Sequence, residues 1–313
     1  MKSIFAFLIL FHMTYLCADI FGTDNRQAVY PYSSTQKYAR SVAVGVINSL
    51  WSENGRGGLE LLVDPLSERM CASERFSYNP SVSYACTGFL IAEDVLVTAG
   101  HCGTHVRTEI RDETKNYCEA YTWLFDYQET RPRKINTNHI NKDNLYRCKK
   151  ILYAVNDEGD LGRDFAIIKL DRKVKGRTPL KIASHSPAQG DAVSMLGHPM
   201  GMPMKYTHSA YIFEFFNQSY NFKTNLDAFA GNSGSPVFNK NMEVVGVLVA
   251  GNPSLSTYYD KKKKCERYNR CDNNGRNCIE QNIGEEGFPH TYSKVQKISK
   301  YLDELKRAKN LLP

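Results

Sequence analysis

Residues 86–102 read CTGFLIAEDVLVTAGHC. The run TGFLIAEDVLVTA (87–99) is dense in Val, Leu, Ile and Phe, the residues that favour extended backbone on a half-buried pleated surface. It ends on Thr98-Ala99-Gly100-His101-Cys102, which sets a His at a strand end beside a Cys. Outward from it the same texture recurs in SVAVGVI (41–47), DFAIIKL (164–170), AVSMLG (192–197), AYIFEFF (210–216), PVF (236–238) and EVVGVLVA (243–250). Gly, Asn, Asp or Pro bounds these runs. No alternation of strand and helix at βαβ spacing appears, and no internal repeat. The chain is therefore expected to be all-β. One helix is expected over 294–307, where Val295, Ile298, Leu302 and Leu305 share a face and the last turn is basic.

Composition narrows the classes. At 313 residues the chain suffices for one large β domain or two small ones, and its 42% apolar and 23% charged residues exclude a disordered or collagenous chain. Forty basic against 33 acidic residues give +7, too mild and too dispersed to indicate nucleic acid. Residues 1–18, MKSIFAFLILFHMTYLCA, have the layout of a secretory signal peptide, short for a span of about 20 residues. Leu16 before Cys17 argues against a lipoprotein signal. No later stretch is apolar and long enough for stable membrane insertion, so a secreted, soluble protein is expected.

With Cys17 removed, eight Cys remain, at 71, 86, 102, 118, 148, 265, 271 and 278. An even count in an exported chain points to four disulfides. Cys265, Cys271 and Cys278 lack the close C-x-x-C spacing of zinc sites, so no metal is expected. Residues 19–40 are polar and read as a propeptide or an extended N-terminal arm. Residues 252–290 form a long, Lys-rich segment whose three Cys suggest stapling. Within it, Lys261 to Lys264 is a basic run, read first as a solvated face.

Three local sequences carry chemistry: the His101 turn, Asp164 at the start of an apolar strand, and Gly231-Asn232-Ser233-Gly234-Ser235-Pro236. A serine hydroxyl is a poor nucleophile until a base takes its proton, and the base is usually an imidazole held by a carboxylate. Gly231 and Gly234 allow a sharp turn that can aim the N–H groups of Gly231 and Ser233 at one point, an oxyanion hole. The order His, Asp, Ser and the absence of a G-x-S-x-G elbow argue against an α/β-hydrolase.

The sequence resembles trypsin-like serine peptidases of the chymotrypsin fold, closest to the V8-like, glutamyl-endopeptidase-related branch. The matching stretches are CTGFLIAEDVLVTAGHC (86–102), DFAIIKLDRKV (164–174), LGHPMGMPMK (196–205) and NLDAFAGNSGSPVFN (225–239), with GNSGSP marking the branch. The resemblance spans 41–305 and leaves 306–313 as a C-terminal tail. It implies two packed six-stranded antiparallel β-barrels with a C-terminal α-helix outside them. It implies His101 as general base, Asp164 as its orienting acid, with Asp160 the rival, and Ser233 as nucleophile in a secreted serine endopeptidase.

The resemblance also pairs Cys86 with Cys102, and Cys118 with Cys148 is the next pairing expected. Cys71, Cys265, Cys271 and Cys278 then pair among themselves in an unassigned pattern. Asn232 stands where trypsins carry the acid that pairs with a newly cut N-terminal amine, so that switch is not expected; the arm 19–40 is either removed, with Arg40-Ser41 a possible cut, or stays uncleaved and packs on the barrel. Asp227, six residues before Ser233, matches the trypsin pocket floor and points to Arg or Lys before the scissile bond, with small or apolar residues second; in V8-like relatives an Asp near this offset can instead be a framework residue. Leu248 or Val249 stands where glutamyl-specific members carry a His, so no Glu preference is expected; Gly251 completes the expected pocket. His198 is read as a structural loop residue. Expected partners are protein or peptide substrates and protein inhibitors, with no nucleic acid and no cofactor, and a monomer is expected. The alternatives are a non-catalytic binding or regulatory protein on the same fold, and a serine esterase.

Overall fold

The computed structural model of the chain describes residues 19–55, 58–83, 85–104, 109–111, 118, 121–157, 162–251, 256–280 and 291–310. The first six barrel strands are β1 (Val42–Ile47), β2 (Cys86–Ala92), β3 (Val95–Thr98), β4 (Tyr121–Phe125), β5 (Leu145–Asp157) and β6 (Arg163–Leu170). They are hydrogen-bonded in the order β5-β4-β1-β2-β3-β6, and β6 pairs back onto β5. The second six are β7 (Ala192–Gly197), β8 (Lys205–Phe215), β9 (Asn221–Thr224), β10 (Pro236–Phe238), β11 (Val244–Gly251) and β12 (Ser293–Lys297). Their order is β7-β10-β11-β12-β9-β8, closed by β7 on β8. These are two closed six-stranded antiparallel barrels, and closure removes the unpaired edges that open sheets leave exposed.

Alternation along each strand fills the interiors. Phe89, Trp123, Phe125 and Phe165 are buried in the first barrel; Met195, Ile212, Phe222 and Val237 fill the second. Each such side chain contributes about 1.5–3 kcal/mol by leaving water. Leu196, Phe238, Val247 and Val249 join the first barrel's cluster instead, so one face of the second barrel is the seam between the two.

Of these twelve barrel strands, four escape the sequence reading: β4, β5, β9 and β12. The last overlaps the expected helix. Ser293–Lys297 is a strand paired with β9 and β11, followed by a 3₁₀ turn, Ile298–Tyr301, and the helix α1, Leu302–Asn310. The buried face of this C-terminal element is Ile298, Tyr301, Leu305 and Ala308, whereas Leu302, placed on that face by periodicity, is 37% exposed. The helix continues through 306–310, part of the expected tail. Tyr301 stacks on Phe165 with ring centroids 4.0 Å apart, bracing β6 next to Asp164.

The disulfides are Cys86–Cys102, Cys118–Cys148, Cys71–Cys265 and Cys271–Cys278. Within the Lys-rich segment, Thr257–Asp260 and Cys265–Tyr268 form a hairpin with Lys261–Lys264 at its tip. Among the described residues, no helix is long and apolar enough to cross a membrane.

Candidate active site

The first barrel supplies the His–Asp half. β3 runs out into the 3₁₀ turn Gly100–Cys102, which carries His101. Asp164 is the second residue of β6, which pairs with both β3 and β5. The carboxylate grips His101 twice. Oδ1 accepts the His101 backbone N–H at 2.9 Å, and Oδ2 lies 2.8 Å from Nδ1. A carboxylate partner places the imidazole proton on Nδ1 and makes Nε2 the basic ring nitrogen. Both side chains keep partial exposure, 22% for His101 and 16% for Asp164, so the pair borders solvent. The rival acid, Asp160, lies outside the described residues.

The second barrel supplies the Ser half. Gly231 and Gly234 adopt φ of +94° and +90°, and an added Cβ would run into His198 O and Thr87 O respectively. Only glycine satisfies both the conformation and the close approach. The turn is tied on each side. Asn232 N–H donates to Phe229 O at 3.0 Å and Ser235 N–H to Asn232 O at 2.9 Å. Gly234 N–H donates to Leu248 O at 2.7 Å and Leu248 N–H to Ser235 O at 3.0 Å. Among the described residues, no protein acceptor takes the N–H of Gly231 or Ser233. Two unclaimed donors flanking a serine are what an oxyanion hole requires.

Thr87 fastens the halves together, and sequence reasoning assigned it no role. Its N–H donates to Ser233 O at 2.7 Å, its Oγ1 donates to Gly231 O at 2.7 Å and accepts His198 N–H at 3.2 Å. Ser233 O also lies 3.9 Å from Cys102 Sγ, next to His101 in sequence. The signal was visible only as the residue after Cys86; nothing local shows that a first-barrel threonine would hold a second-barrel turn.

The residues expected to line the pocket have other surroundings. Leu248 is buried in the second barrel's core and Val249 in the seam between barrels; Gly251, at the end of β11, is half-buried. Asp227 has no solvent exposure. Its Oδ1 accepts the N–H of Phe21 at 2.8 Å and its Oδ2 that of Asn25 at 3.2 Å, so the carboxyl group faces the N-terminal arm. Burial pushes its pKa up to about 7, against the pull of the Phe21 N–H and of Arg26.

His198 is fully buried, its Nδ1 3.0 Å from Met202 O and its ring stacked on Tyr127. Burial pushes its imidazole down to about 3, with Lys205 adding to the effect and the Met202 contact opposing it. His, Cys and Asp donors converge at Cys86–His101–Cys102 and at Asp19–Cys271–Cys278, but these sulfurs are tied up in disulfides and offer no thiolate.

Two solved structures share this arrangement of the chain. A Glu endopeptidase in complex with MPD matches with a TM-score of 0.51 at 14% identity, covering 93% of this chain and 99% of that one. The scabies mite inactivated protease paralogue S-I1 matches with a TM-score of 0.50 at 12% identity, covering 89% and 97%. At such identities the likeness is one of fold alone. The family model for the trypsin-like peptidase domain matches residues 86–247, over half of the 313 residues and inclusive of His101, Asp164 and Ser233, and the chain belongs to that family.

Proposed function

We propose that the chain is a secreted serine endopeptidase working through His101, Asp164 and Ser233. The observation that carries this reading is the double hold of Asp164 on His101, at 2.9 and 2.8 Å, which orients the imidazole and leaves Nε2 basic. In the proposed reaction His101 Nε2 takes the Ser233 hydroxyl proton as Oγ attacks the substrate carbonyl. The oxyanion is received by the N–H groups of Gly231 and Ser233. The proton passes from His101 to the leaving amine, and a water deprotonated by His101 then hydrolyses the acyl-enzyme. Membership of the family makes proteins the substrate class. Export through residues 1–18 agrees with four disulfides, which persist in oxidising surroundings. The enzyme is proposed to act as a monomer.

For specificity we depart from the Arg or Lys preference that the position of Asp227 suggests. A carboxyl group with both oxygens engaged by backbone N–H groups and a pKa near neutrality is a poor partner for a substrate cation. The apolar Leu248 and Val249 offer no cation to a substrate carboxylate. Small or apolar side chains before the scissile bond are therefore favoured.

The test is a panel of fluorogenic peptides with Arg, Lys, Glu, Phe or Ala before the bond, run on the purified protein and on Ser233→Ala. Cleavage after Ala or Phe that the substitution abolishes supports the whole reading. Cleavage after Arg or Lys keeps the peptidase and returns Asp227 to the pocket. Ester turnover without peptide cleavage makes it an esterase. Silence, with a fluorophosphonate probe failing to label Ser233, makes it a non-catalytic binding protein.

A further inference from the structure

Residues 19–29 run beneath the nucleophile turn as part of the fold. Ile20 and Phe21 pair in parallel with Arg270 and Cys271, Gln27 and Ala28 pair with Tyr206 and Lys205 on β8, and Val29 N–H donates to Met204 O at 3.3 Å. Ile20, Arg26 and Val29 have no solvent exposure. The arm is also covered. Cys71 is bonded to Cys265, Arg75 pairs with Asp24 at 3.5 Å, and Ile20 packs with Leu66, Met70 and Phe76 of the covering segment.

The arm grips the segment that leads into Ser233. Asp227 accepts the N–H groups of Phe21 and Asn25. The Arg26 guanidinium is held by Asp24 at 2.9 and 2.8 Å, and its carbon lies 4.6 Å from the centre of the Phe229 ring and 4.4 Å from that of Tyr268. Among the described residues its Nη1 has no hydrogen-bond acceptor, so aromatic faces compensate the charge that Asp24 does not. Phe229 in turn accepts the N–H of Asn232, the residue before Ser233. Among the described residues, nothing pairs with either atom of the Asn232 side-chain amide. The possible cut is part of this packing: Ser41 is buried, and its carbonyl accepts Leu90 N–H at 2.9 Å.

We propose that the arm stays covalently attached in the active enzyme and that Arg26 is a positioning residue, holding Phe229, and through it the Ser233 turn, in the form that presents the oxyanion-hole donors. This rests on Ser233 being the nucleophile. An internal guanidinium would thus do without proteolysis what a freshly cut terminus cannot do opposite Asn232.

The experiment uses the full chain as secreted and a fluorophosphonate probe. The labelled species is sized by intact mass under denaturing conditions. The expected chain begins at or before Asp24; a fully reactive labelled chain beginning after Arg26 overturns the proposal. Arg26→Met and Arg26→Lys are then compared with wild type for labelling rate, and for kcat and KM on the best panel peptide. Arg26→Met is expected to lower labelling and kcat together, about 10- to 100-fold, with KM within about twofold. Arg26→Lys is expected to recover part of the loss, since it restores charge without the planar stacking. Equal labelling and kcat in wild type and a folded Arg26→Met overturn the proposal. If Arg26→Met does not fold, Arg26→Lys and the mass decide: wild-type rates in Arg26→Lys refute a need for the guanidinium. Absence of labelling in wild type instead defeats the nucleophile assignment.

Discussion

The two halves of the proposed site are held by different means. The His–Asp half is fixed at short range: a carboxylate on β6 binds both the backbone and the ring of His101, and the Cys86–Cys102 disulfide pins the turn to β2. The Ser half is fixed from behind, by Thr87 across the seam, by the arm through Asp227 and Phe229, and by buried polar groups around β8. There Lys205 and Glu129 form an ion pair at 3.0 Å with no exposure of either side chain, joining the start of β8 to the loop after β4. Burial pushes the Lys205 ammonium down to about 8, with Glu129 opposing the shift. The contrast teaches that a base can be oriented by one well-placed neighbour, whereas a pair of backbone donors must be oriented by everything that sets the course of the chain.

That contrast can be broken at several points. Asp164→Asn keeps an acceptor for the His101 N–H but favours the wrong imidazole tautomer, so kcat should fall about 10⁴-fold with the fold retained. A loss of only tenfold would pass the role to another acid. Lys205→Met should destabilise the protein by about 3–5 kcal/mol in urea unfolding, because Glu129 stays buried without its ionic partner. The double variant Lys205→Met/Glu129→Leu should recover most of that; failure to do so would mean the pair is not the source of the loss.

Cys86→Ser with Cys102→Ser opens a loop of sequence separation 16 and should cost about 3 kcal/mol in the same assay. A folded double variant should also lose activity through His101 mobility, with the second barrel intact by hydrogen exchange. The smallest effect expected is pH-dependent. The unfolded chain protonates His198 near its ordinary pKa of 6.5, whereas the folded protein resists until about 3. The contribution is fully present above about pH 6.5 and is lost as pH falls toward 3, about 2 kcal/mol of it by pH 5. His198→Asn, which can still donate to Met202 O, should flatten this part of the stability–pH curve. An unchanged slope would assign the acid sensitivity elsewhere.

Where the chain was legible, the information was local. TAGHC and DFAIIKL announce themselves because dense apolar residues sit directly beside the proposed catalytic side chain. β9, NFKT, and β12, SKVQK, carry almost no apolar signal of their own; they are strands because closing a barrel supplies partners for their backbone groups. The helical spacing of Val295, Ile298, Leu302 and Leu305 fitted a helix by coincidence, since Val295 faces a barrel core and Leu302 faces water. The arm is polar in sequence, and a sequence does not show that Asp24 and Arg26 pair with each other out of contact with water. For Asp227 the offset from Ser233 established the position but not the side of the wall it faces.

By itself, then, the sequence determined the strand-rich architecture, the local motifs that carry His101, Asp164 and Ser233, and the glycine-framed turn, because each depends on residues within a few positions of one another. The tertiary structure alone decided that Asp227 would serve the arm, that Cys71 would close over it with Cys265, and that Thr87 would bind the turn from the other barrel. Asp227 and Phe21 are 206 residues apart, and Cys71 and Cys265 are 194. Such contacts exist only once both barrels have closed and packed, since only then does the burial of the intervening chain offset the entropy of bringing such distant residues together.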